Sequence, residues 1–140
     1  MILGIGIDIV TVKRIEHWLS VTGLPERFFH PEELKAARMR GSAQALSLAA
    51  RFAAKEAFGK AVGTGLKNIR LKDILVLNNH NGKPELRLFD SALTVFKKVK
   101  AEKIHLSLTH EKKTAAAVVI LEAGPPPAYC DNTSTTNDKA

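Results

Sequence analysis

Cysteine is nearly absent from this chain: Cys130 stands alone among 140 residues. One thiol closes no internal disulfide and builds no metal site by itself, so a reducing cytoplasm is the expected setting. Long apolar runs are missing too. The longest are broken by glycine, alanine or Asp8 and fall far short of the roughly 20 residues that a membrane-crossing helix needs. The start, MILGIG, lacks a positively charged segment and a small-residue cleavage site, so no signal peptide is expected. No internal repeat is visible.

What remains is 45% hydrophobic and 25% charged residues, which suits one soluble domain with a core large enough to hold a ligand cleft. The formal charge is +7 and unevenly spread. Residues 51–72 carry Arg51, Lys55, Lys60, Lys67, Arg70 and Lys72 against Glu56 alone. That excess favours an anionic partner: phosphates, nucleic acid or an acidic protein.

Residues 2–10 alternate as a strand, with Leu3, Ile5, Ile7 and Ile9 on one face and Gly4, Gly6 and Asp8 on the other. Thr11 is a good N-cap for a short helix carrying Ile15, Trp18 and Leu19, running to about Ser20 and stopping near Gly23. A second helix is expected from Pro31 to Gly41. Ser42 can cap a third, which Gly63 closes. Alanines at 49, 50, 53, 54, 57 and 61 leave small or apolar residues around most of that helix, as in a helix packed on several sides. Residues 73–78 and 85–89 read as strands joined through an Asn81-Gly82 hairpin turn. Asp90 or Ser91 can cap a last helix, and the alternating IHLSLTH and TAAAVVIL stretches form an antiparallel pair. The sum is an α+β fold with an antiparallel sheet packed on a long central helix. Residues 1–122 form the domain, and residues 123–140, poor in large apolar side chains, a disordered tail.

Each candidate for chemistry carries a bland alternative. Glu56 stands one turn before Lys60, an ordinary i,i+4 pair worth roughly 0.2–0.5 kcal/mol on a solvated face. The alanine-rich surround argues against that, since buried charge needs a partner. Asp8, just before a helix, suits a turn or cap; alternatively it meets Glu56 across the fold to hold Mg²⁺, which takes hard oxygen ligands. Gly63-Thr64-Gly65 reads as a helix stop without P-loop spacing, though its amides could hold a phosphate. His105, Ser107 and Thr109 share a strand face, followed by His110 at the turn; neither a nucleophile elbow nor a zinc spacing accompanies them.

Taken together, GIGIDIV, RFAAKEAFGKAVGTGL, NGKP and HLSLTH followed by AAAVVI form an ordered set over residues 1–121. The set resembles the small 4′-phosphopantetheinyl transferases of the holo-[acyl-carrier-protein] synthase family. The resemblance implies their fold and transfer of 4′-phosphopantetheine from coenzyme A to a serine of apo-acyl carrier protein, in fatty-acid synthesis. Asp8 and Glu56 would ligate Mg²⁺, with Lys60 neutralising phosphate charge. Arg51, Gly63, Thr64, Gly65, His105, Ser107, Thr109 and His110 would line the coenzyme A cleft. Lys13, Arg14 and Arg27 would receive the carrier protein. The base for the serine proton is open between Glu56 and a metal-bound water positioned by Asp8. The family implies a homotrimer with sites at protomer boundaries. Two features depart from it: His30, where many members have threonine, and the long tail. Two rival readings are a nucleic-acid-binding module built on residues 51–72 and a structural oligomer without chemistry. The first is weakened because that segment offers only Phe52 and Phe58 for stacking.

Overall fold

The computed structural model describes residues 1–126. Strand β1 (Ile2–Thr11) leads into three short helices, α1 (Val12–Leu19), α2 (Pro25–Phe28) and α3 (Pro31–Arg38), before the long α4 (Gln44–Ala61). The hairpin β2 (Ile74–Asn78) and β3 (Pro84–Leu88), helix α5 (Asp90–Lys98), and strands β4 (Lys103–His110) and β5 (Thr114–Glu122) complete the α+β domain. One antiparallel sheet runs β1-β5-β4; β2 and β3 make a second. The tail expectation falls largely on residues 127–140, outside the described residues.

Which face of β1 packs inward is decided by its glycines. A Cβ on Gly4 would lie 1.9 Å from the Ala61 carbonyl oxygen, and one on Gly6 would lie 1.8 Å from that of Ala57. The bare face therefore lets the backbone of α4 settle directly on the sheet. The isoleucine face looks outward, with Ile5, Ile7 and Ile9 each more than 60% exposed. As its composition predicts, α4 is enclosed: Leu48, Ala49, Ala53, Ala54, Ala57 and Phe58 are fully buried against β1, β5, α1 and α3. Burying a Leu or Phe contributes about 1.5–3 kcal/mol each, so α4 anchors the core.

The helix ends depart from expectation in instructive ways. Thr11 occupies the N-cap of α1, yet its side chain makes no cap bond. Ser42 does not cap α4 either; it lies inside a short 3-10 turn, Gly41–Ala43, which feeds the helix directly from Ala43. Asp90 is the first residue of α5, whose N-cap is Phe89. The acceptor there comes from a distance: Asp73 takes a bond from the Ser91 N–H at 3.1 Å and another from the Ser91 hydroxyl. The one-turn α2 has too few residues for periodicity to announce it. His30 accounts for its own departure from the family pattern. Its Nδ1 accepts from the Glu32 N–H at 3.1 Å while Glu33 accepts from the His30 N–H at 2.9 Å, so an imidazole does the capping usually given to a hydroxyl.

Candidate active site

Asp8 lies within β1, paired with Ala117, rather than in a turn. Lys60 reaches across from α4 and donates to Asp8 Oδ1 at 3.0 Å and to the Ile7 carbonyl at 2.9 Å. The ordinary Glu56–Lys60 helix pair is thus replaced: Lys60 serves the strand, and Glu56 forms no salt bridge among the described residues. Glu56 and Asp8 are nevertheless close enough to repel. Burial first, then the Asp8 charge, push the Glu56 carboxyl above its usual range, opposed by Arg14 and Lys60. Two carboxylates 48 positions apart in sequence converge because the glycines beside Asp8 admit the backbone of α4.

Arg14 borders the same corner from α1. Its guanidinium lies 5.0 Å from the Trp18 ring centre and 5.2 Å from that of Phe52, and these rings pack edge to face at 4.8 Å. The ring faces attract the guanidinium and seat a cation near Glu56. Lys13 is exposed on the same helix, and Arg27 is exposed at α2. At the far end of α4, Gly63 and Gly65 adopt φ of 87° and 63°, which turns the chain back over the helix just beyond Lys60. A Cβ on Gly59 would sit 2.8 Å from the Gly65 carbonyl carbon, so this turn lies flat on α4. Thr64 donates to the Gly65 carbonyl at 3.2 Å.

The other predicted coenzyme A residues are not gathered at this corner. Arg51 and Glu56 differ by five residues, about 140° around α4, and face different sides. Arg51 is buried; its Nε donates to the Val76 carbonyl at 3.1 Å, and Nη1 donates to the Ser47 carbonyl at 3.2 Å and to the Ser47 hydroxyl. It borders a cavity of ≈300 Å³ with Arg40, Asn78, Pro84 and His110. Burial lowers the Arg51 pKa, opposed by Glu33. His105, Ser107 and Thr109 lie on the opposite, outer face of β4, in register with Ile120, Val118 and Ala116. His105 meets Glu122 at 2.7 Å, a contact that holds the Glu122 carboxyl below its usual range. Arg40 and Asn78 had no motif to mark them; only the closure of the hairpin against α4 reveals them.

A family model for the 4′-phosphopantetheinyl transferase superfamily matches residues 4–119. The holo-[acyl-carrier-protein] synthase of Treponema denticola is 60% identical over 122 residues, covering 87% of this chain and 99% of its own length. The crystal structure of the Neisseria meningitidis holo-[acyl-carrier-protein] synthase superposes with a TM-score of 0.78 at 37% identity, covering 87% of this chain and 99% of that one. The Bacillus anthracis synthase, solved in complex with CoA (3′,5′-ADP), gives 0.74 at 40% identity, covering 89% and 99%. The fold is that of a phosphopantetheinyl transferase. Within that class, the chain belongs to the holo-[acyl-carrier-protein] synthase family.

Proposed function

We propose that the carboxylate corner is where this transferase moves 4′-phosphopantetheine from coenzyme A to a serine of apo-acyl carrier protein, releasing adenosine 3′,5′-bisphosphate. The observation that carries the assignment is the convergence of Asp8, Glu56 and Lys60 from two elements distant in sequence. The residues present fit Mg²⁺. Asp8 and Glu56 offer hard oxygen donors, and Glu56 has no competing salt bridge among the described residues. When bound, the metal supplies charge stabilisation for the pyrophosphate oxygens.

The chain's own residues supply the rest. The serine oxygen bonds to the β-phosphorus as the P–O bond toward the α-phosphate breaks, and the bisphosphate departs with the electron pair. Lys60, half exposed and already aimed into the corner, offsets the charge on the phosphates. Glu56 takes the serine proton, because its raised pKa makes it a stronger base than an ordinary surface carboxylate. Arg51, His110 and the cavity beside them receive the nucleotide part of coenzyme A, while Gly63, Thr64 and Gly65 approach its phosphates. Lys13, Arg14 and Arg27 face the acidic carrier. Incubation with coenzyme A, Mg²⁺ and apo-carrier is expected to add the phosphopantetheine mass to the carrier. A carrier of unchanged mass across metal and carrier concentrations would sink the assignment.

The outer sheet face supports a reading of the assembly. Ile5, Ile7 and Ile9 stand beside Ile120, Val118 and Ala116, a continuous apolar surface that a monomer exposes at a cost. We read it as the contact of a homotrimer, which also brings His105, Ser107 and Thr109 against a neighbouring protomer. The two half-sites on α4 would then be completed across the boundary. Ile7→Lys is expected to give a monomer with little activity, read by sedimentation velocity; a trimer of undiminished activity would refute this contact. No helix among the described residues is long and apolar enough to cross a membrane. We place the reaction in the cytoplasm, where a lone cysteine stays reduced, as a step in fatty-acid synthesis.

A further inference from the structure

Lys55 directly precedes Glu56 on α4 and points elsewhere. Its side chain and that of Glu33 are both 0% exposed, and Nζ lies 2.5 Å from Glu33 Oε1. The remaining two ammonium protons go to backbone: the Phe28 carbonyl at 3.0 Å and the Leu71 carbonyl at 3.0 Å. Glu33 is equally committed, accepting from the His30 N–H at 2.9 Å and the Val76 N–H at 3.1 Å. Burial lowers the Lys55 pKa, and Glu33 opposes that shift. Stability alone gives little reason for such a pair, because a well-packed apolar replacement is often neutral or stabilising. Its distinctive product is geometry.

The two carbonyls belong to separate segments. Phe28 ends α2, and Leu71 begins the 3-10 turn Leu71–Asp73. These segments form the two walls of a cleft of ≈410 Å³, lined by Arg27, Phe28, Ile69, Arg70, Leu71 and Lys72. Three cations border it and no carboxylate does. Lys55 lies beneath, bonded to one backbone carbonyl of each wall.

We infer that Lys55 is a positioning residue, a buried clasp that sets the separation of the two walls of a basic cleft receiving acidic side chains of the carrier protein. The inference rests on the carrier reading above. It separates Lys55 from its neighbours in the same motif: Glu56 and Lys60 act on the reacting groups, whereas Lys55 holds the face on which the partner docks. Its alignment with the corner follows, since clasp and proton acceptor are consecutive residues of one rigid helix.

The test is a split of kinetic constants, with folding followed by circular dichroism. In E33Q/K55M, which removes both buried charges together, KM for apo-carrier is expected to rise about tenfold, while KM for coenzyme A and kcat stay within about threefold. A folded double variant with unchanged carrier KM overturns the inference. E33Q alone keeps the Lys55 amine and its N–H donors to both carbonyls, so its carrier KM should stay within about threefold of the parent. A tenfold rise there would assign the effect to the ion pair and overturn the clasp even where the double variant does not fold. R27E/R70E separates the two readings, because it alters the walls without touching the clasp. Unchanged carrier KM in R27E/R70E removes the carrier from this cleft. A raised KM there beside an unchanged one in E33Q/K55M removes only the clasp.

Discussion

Asp8→Asn is expected to lower the transfer rate by about 10²–10³-fold while the protein stays folded. The substitution keeps the shape of the side chain and deletes its charge, so what is lost is electrostatic. Lys60 loses the carboxylate that now orients it at 3.0 Å, and the corner loses one of the two anionic groups proposed to hold Mg²⁺. Glu56→Gln should fall as far, since it removes the proposed proton acceptor and the second carboxylate charge. The double variant should be little worse than either single, because the two act as a unit. Initial rates of carrier mass gain, with circular dichroism as the control for folding, provide the measurement. Asp8 carries a second, smaller signature: its charge is one of the two causes that raise the Glu56 pKa. Residual activity in Asp8→Asn should therefore have its acid limb at lower pH than the parent. Retention of most activity would return Asp8 to a structural role.

Gly6→Val is expected to leave no stable fold at ordinary temperature. The first added carbon would fall 1.8 Å from the Ala57 carbonyl oxygen and 2.8 Å from both the Ala57 carbonyl carbon and the Ala61 nitrogen. All three are backbone atoms of α4, so no side chain can swing aside. Overpacking a core costs about 1–3 kcal/mol where neighbours can give, and more where they cannot, against a total stability of about 5–15 kcal/mol. Separation of β1 from α4 would also pull Asp8 from Glu56. Urea melts followed by circular dichroism decide the matter: a midpoint within experimental error of the parent would show that the strand and helix are free to part.

Much of the architecture was legible in the residues. Period-two alternation in GIGIDIV and IHLSLTH marks strands, Asn81-Gly82 marks a hairpin, and the alanine density of residues 49–61 marks a helix enclosed on several sides. These are local consequences of backbone geometry and side-chain volume, which neighbouring residues carry themselves. The caps were less legible. Ser42, Asp90 and Ser91 all have the right chemistry, yet α5 takes its acceptor from Asp73, a residue seventeen positions before its first. Capping needs an oxygen at the right place in space, and chain proximity is only one way to supply it. The free edge of β2 shows the same: Val76 is satisfied by Glu33 and Arg51 side chains, whose arrival no pattern announces.

The sequence by itself determined most of the element types, the family and the residue kinds available for catalysis. The tertiary structure decided which of those residues meet. Lys60 stands four residues from Glu56 and pairs instead with Asp8, 52 positions away. Lys55 adjoins Glu56 and turns inward to Glu33. Arg51 lies on the same helix as both and faces another cavity. The physical reason is rotation: each step along α4 turns the side chain by about 100°, so its motif is distributed among three surroundings. The glycines of β1 then set how closely one of those faces approaches the sheet, and with it whether two distant carboxylates become one site.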